Sequence, residues 1–148
     1  MIPMLPLNAS LVTAVVVQVA CQAFKVLLYS IRERRFAPRY FVSAGGMPSA
    51  HSAFVTALSV SVGLWGGFSS ELFAVSCVFS VIIIYDAWRL RGTVEQHARA
   101  IKMLLARHPE VKAEKLTEMV GHSLGEIAAG IAAGGGFAAL AYLGLRQL

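Results

Sequence analysis

Four apolar runs, each near the length a bilayer demands, alternate along this chain with two strongly basic segments. A helix crossing hydrocarbon needs roughly 17–25 mostly apolar residues, because lipid offers the backbone no hydrogen-bond partner. Leu11 to Ile31 meets that requirement, although it carries Gln18, Gln22 and Lys25. Ala53 to Phe68 is shorter. Leu72 to Trp88 is rich in β-branched residues, with Ser76 and Ser80 able to bond back to their own helix. Ile127 to Leu145 is rich in Ala and Gly, and Gly130 and Gly134 have the spacing that lets two helices approach closely. With 57% hydrophobic and 14% charged residues, lipid is the natural solvent for much of the chain. These runs predict an all-α fold, a single integral membrane domain over residues 1–148 built as a bundle of four transmembrane helices.

The charges orient it. Arg32, Arg34, Arg35 and Arg39 follow the first run, and Arg89, Arg91, Arg99, Lys102, Arg107, Lys112 and Lys115 follow the third. Only Arg146 lies beyond the other ends, and Lys25 lies within a run. By the positive-inside rule both basic segments face the cytoplasm and both termini lie opposite. Topology thus accounts for the formal charge of +5, and nucleic acid is not an expected partner. Within the longer segment, Val94, Ala98, Ile101 and Leu105 share one side of a helix over Thr93 to Arg107, which predicts a cytoplasmic amphipathic helix on the membrane surface or capping the bundle, ended by Pro109. His97 and His108 read as solvated. Cys21 and Cys77 lie inside apolar runs, where a thiol behaves as a small hydrophobe, so no disulfide is expected. The first run has no basic leader or Ala-x-Ala pattern before or after it and is expected to be retained.

Chemistry gathers at the cytoplasmic ends. Gly45-Gly46-Met47-Pro48-Ser49-Ala50-His51-Ser52 is a small-residue turn that delivers His51 to the first turn of an apolar helix. Small residues let backbone N–H groups approach an anion, and a helix start favours negative charge. Lys25 and Arg32 are seven residues apart, nearly two turns and on one face; a lysine inside a membrane run faces an interior or snorkels to the interface. Asp86 ends the third run with Arg89 and Arg91 close behind, as an interfacial ion pair or a site. His122 and Glu126 are four residues apart at the mouth of the last run. A carboxylate on one imidazole nitrogen fixes the tautomer and leaves the other nitrogen as nucleophile or base.

These residues resemble the phosphatidic acid phosphatase type 2 superfamily, in particular its small divergent branch related to acid phosphatases and vanadium haloperoxidases. Lys25 and Arg32 match its lysine, six residues, arginine; Glu33 stands where proline usually follows. Pro48-Ser49-Ala50-His51 is similar to proline-serine-glycine-histidine, and His122 with Glu126 to a histidine followed four residues later by aspartate. The serine-arginine expected before that histidine is absent, with Leu116 at the arginine position. The resemblance implies that His122 forms a phosphohistidine, that Glu126 orients it and that His51 protonates the leaving group. It also implies that Lys25, Arg32 and the backbone around Gly46, Ser49 and Ala50 bind phosphate without metal or cofactor. Arg91 or Arg89 is expected to replace the missing arginine, with Asp86 counted among the substrate-binding residues.

The expected activity is hydrolysis of a lipid phosphate or pyrophosphate, phospholipid or isoprenoid, at the cytoplasmic face. The alternative is an inactive relative that binds anionic lipid or a protein through the same basic face. Gly121-His122-Ser123-Leu124-Gly125 also resembles the Gly-x-Ser-x-Gly elbow of acyltransferases, with a short strand over Lys115 to Val120, but no alternation of strands and helices surrounds it. Gly130, Gly134 and Ala138 permit packing inside the bundle or against a second copy in a homodimer.

Overall fold

The computed structural model describes residues 8–108, 110–111 and 120–147, and within them every regular element is helical. Pro109, Lys112, Lys115 and Leu116 lie outside the described residues, as does most of the expected 115–120 strand.

Four of the helices begin where a side chain can satisfy free backbone donors. Helix α1, Ala9–Glu33, is capped by Asn8, whose Oδ1 accepts from the Leu11 amide at 3.0 Å. It ends at Arg34 in the left-handed region (φ 53°), with the Arg34 and Arg35 amides closing on Ile31 and Ser30 carbonyls. A 3-10 turn, Pro38–Val42, leads to the glycine-rich turn. Helix α2, Ala50–Gly66, starts at Ser49 and stops at Gly67. Helix α3, Glu71–Tyr85, is capped by Ser70. A widened π turn over Asp86–Leu90 joins α3 without a break to α4, Arg91–Leu105. Helix α5, Leu124–Leu145, opens with a capping box in which Ser123 and Glu126 satisfy each other's amides.

Three of these helical stretches are long and apolar enough to cross a membrane: α1, the 35-residue α3–α4 helix, and α5. Of the four runs, the second is the exception at 17 residues. Its position explains its length and composition. No residue from Ala50 to Trp65 is exposed, because α1, α3 and α5 all pack around α2. The outer faces are apolar, with Leu72 at 74% and Leu140 at 70% exposure, which suits lipid rather than water.

The small residues of α5 make its contact with α2 close. A Cβ on Gly130 would strike the Ser49 carbonyl oxygen, and one on Gly134 the Ala53 backbone. Ala138 completes the buried cluster with Val17, Cys21, Ala50, Ala53 and Ala57. The small-residue stripe therefore packs within the chain. On the other side of α2 a polar latch replaces small residues: Ser59 and Ser80 Oγ atoms lie 2.7 Å apart, and Ser80 donates to the Val55 carbonyl at 3.1 Å. Interhelical hydrogen bonds of this kind hold membrane helices where apolar burial gives no preference.

The stretch read as an amphipathic helix falls on α4. It continues α3 directly, and the combined helix is about 52 Å long at 1.5 Å per residue, beyond a bilayer's 40–45 Å. Of Val94, Ala98, Ile101 and Leu105, only Ala98 is buried, so the stripe does not pack on the bundle along its length.

Candidate active site

The C-terminal ends of α1 and α3 and the N-terminal ends of α2 and α5 meet at one end of the bundle. Two backbone contacts set the register there. The Ser49 amide donates to the Glu126 carbonyl at 3.0 Å, tying α2 to α5. The His122 amide donates to the Ala87 carbonyl in the π turn at 3.2 Å, tying the start of α5 to α3. Gly121 makes the second possible, since a Cβ there would lie 2.8 Å from Gly92 Cα.

His51 and His122 consequently face each other, with ring centroids 6.2 Å apart and planes at 63°. His122 Nδ1 lies 3.3 Å from Glu126 Oε2, and the same oxygen accepts from the Ser123 amide at 2.9 Å. The carboxylate thus selects the tautomer with hydrogen on Nδ1. His122 Nε2 and His51 Nδ1 are both buried with no hydrogen-bond partner among the described residues. Burial holds the His122 imidazole below its ordinary value of 6.5; the Lys25 charge pushes the same way, Glu126 opposes, and Arg91 adds a smaller push downward. A neutral imidazole with a bare Nε2 is a competent nucleophile.

A cavity of about 430 Å³ opens beside His122, bordered by Gly46, Trp88, Glu95, Arg99, His122 and Glu126. Gly46, at φ 95°, could not carry a side chain without meeting the Tyr29 hydroxyl 2.8 Å away.

The other expected residues fall into distinct places. Lys25 is fully buried and donates to the Gly45 carbonyl at 3.1 Å and the Ser43 carbonyl at 3.5 Å, so it holds the glycine-rich turn from beneath. Ser49 and Ala50 are also fully buried, and the Ser49 hydroxyl caps α2 by accepting from the Ser52 amide at 3.3 Å. Arg91 Nε donates to Asp86 Oδ2 at 2.7 Å. Arg89 instead lies over the Trp88 ring, 5.4 Å from its centroid. Arg32 stacks on Tyr29 at 5.6 Å and borders an apolar groove rather than the polar cavity. His97 and His108 are exposed.

Two residues that sequence reasoning passed over belong to the cavity. Glu95 Oε2 accepts from the Gly121 amide at 3.1 Å, and its other oxygen pairs with Arg99. Their four-residue spacing resembled any solvated helix pair; only the approach of Gly121 to Gly92 brings that face over His122. Ser123, as a helix cap with no strand before it among the described residues, lacks the setting of a nucleophile elbow.

The family model described as "Divergent PAP2 family" matches residues 7–137. The chain belongs to the divergent PAP2 family. A relative in Bacillus subtilis (strain 168), the uncharacterized membrane protein YuiD, is 36% identical over 130 residues, covering 78% of this chain and 82% of YuiD. No solved structure matches. Membership in the divergent PAP2 family, together with three helices long and apolar enough to cross a bilayer, makes this an integral membrane protein.

Proposed function

We propose that this chain hydrolyses the phosphate or pyrophosphate headgroup of a membrane lipid, phospholipid or isoprenoid, through a phosphohistidine. The observation that carries the reading is the His51–His122 pair, with Glu126 on His122 Nδ1 and Nε2 unpartnered beside the cavity. His122 Nε2 attacks phosphorus, the bond from phosphorus to the leaving oxygen breaks, and that oxygen takes a proton from the His51 imidazolium. A phosphate dianion between the rings favours the charged form of His51 that this step uses. Water then attacks the phosphohistidine, His51 accepts the water's proton, and the P–N bond breaks to release inorganic phosphate. Arg99, at the cavity's edge, and Arg91, whose charge reaches the histidine pair, stabilise charge on the transferring group. Arg91, rather than Arg89, takes the place of the family's missing arginine.

In this reading α2 is the fourth crossing, both basic segments face the cytoplasm, and the headgroup reaches the cavity from that leaflet. Its test is phosphate release by detergent-purified protein from a panel of lipid phosphates and pyrophosphates, beside His51→Ala and His122→Ala. Release that is lost in both variants supports the reading; no release from any lipid by folded wild type refutes it.

One sequence observation favours a second reading. Leu116 stands where the superfamily has arginine, as a chain that keeps the fold but only binds anionic lipid would allow. Orthovanadate separates the two, because it mimics pentacoordinate phosphorus and a pure binder has no reason to respond.

A further inference from the structure

On the opposite side of the Gly46–Pro48 turn from the polar cavity lies a second hollow, a groove of about 610 Å³ between α1 and α5. Both helices pack on α2 and only lightly on each other, which leaves this seam open. Its walls are apolar side chains such as Phe24 of α1 and Ala129, Ala133 and Phe137 of α5. Among the described residues, Arg32 is the one charged residue bordering it. Met47 and Pro48 form its end at the level of the glycine-rich turn, and Ala129 is three residues, just under one helical turn, from Glu126.

The groove has a direction and a length. Arg32 stands at the polar end and Val17 at the deep end of the same helix, 15 residues away and therefore about 22 Å along the axis at 1.5 Å per residue. That is about half of a 40–45 Å bilayer, the depth of one leaflet. An apolar trough one leaflet deep, with a guanidinium at its polar rim, matches a hydrocarbon chain carrying an anionic head. The small side chains of Ala129 and Ala133 make the room for it.

We infer that the α1–α5 groove seats the hydrocarbon tail of the phosphate-headed lipid, with Arg32 meeting the headgroup at its rim. This rests on a lipid phosphate being the substrate. The Met47–Pro48 turn then forms the partition between tail and chemistry: the chain lies against its groove side while the phosphate crosses to the Gly46 side, where His122 stands. The position of Arg32 outside the polar cavity follows, since it binds the head on arrival rather than during transfer.

Photolabelling tests this without turnover. Wild-type protein in phosphatidylcholine nanodiscs is irradiated with a long-chain alkyl phosphate carrying a diazirine near the chain end, and labelled peptides are mapped. The expected result is label concentrated on Val17, Phe24, Ala133 and Phe137, displaced by unlabelled alkyl phosphate but not by an alkyl trimethylammonium of equal length. Ala133→Trp, which fills the trough, reduces labelling by roughly tenfold, the equivalent of about 1.4 kcal/mol of lost packing. Arg32→Ala abolishes the preference for phosphate over ammonium competitor. Label spread equally over the exposed face of α3 in wild type, or groove label that ignores the competitor's charge, overturns the assignment. Groove labelling by a protein that releases no phosphate supports the tail site and refutes the hydrolase reading alone.

Discussion

Glu126 Oε2 approaches His122 Nδ1 at 3.3 Å while the opposite ring nitrogen of His122 is buried without a partner, so one carboxylate decides which nitrogen is reactive. Glu126→Gln keeps an acceptor for the Ser123 amide but removes the charge that stabilises the ring during transfer. Its kcat for phosphate release should fall by about 10²–10⁴-fold, the range typical of acid–base partners, with the folded fraction unchanged in detergent.

The acid limb of the pH–rate profile should reflect the same environment. Burial holds His122 below 6.5, so Nε2 stays unprotonated and nucleophilic at pH values where a free histidine is already charged. The sign for stability is the same: the folded value is depressed, so the contribution is fully present above the unfolded value and is lost as pH falls through the folded one. Because Glu126 opposes the shift, Glu126→Gln should move the acid limb lower still, read from kcat/KM against pH, which reports the free protein.

Gly121→Ala removes no chemical group, yet its Cβ would press on Gly92, 2.8 Å from Cα, and lift the loop that carries His122. A displacement of about 1 Å at a reacting atom is worth roughly 10²-fold in rate. Phosphate release should fall by that factor, with little change in thermal unfolding.

Gly134→Val tests the α2–α5 contact rather than the chemistry. Its side chain would enter the Ala53 backbone, and overpacking of this kind costs about 1–3 kcal/mol or more. Unfolding in mixed micelles should show that loss, and Gly136→Val, where a Cβ meets nothing, should not.

The sequence revealed these parts unequally. The apolar runs and basic segments located the helices because membrane length is a strong constraint, and the motif residues His51, His122 and Glu126 meet at one end because helix ends on one side of a bundle must. Three things were not legible. The continuity of α3 with α4 depends on a π turn that no breaker residue marks. The place of Glu95 and Arg99 in the cavity depends on a glycine-to-glycine contact between segments 29 residues apart. The division of labour between Lys25 and Arg32 was hidden by their shared face: Lys25 turns inward to the Ser43 and Gly45 carbonyls, and Arg32 outward to Tyr29 and the groove.

The central claim is that His122 Nε2 carries the phosphoryl group. It is tested most directly by incubating the protein with a lipid phosphate labelled in its headgroup, quenching in alkali and mapping the modified residue. The account predicts an acid-labile, alkali-stable phosphate on His122 at Nε2, absent from His122→Ala. Phosphate release without label on His122, or undiminished release by His122→Ala, would contradict it.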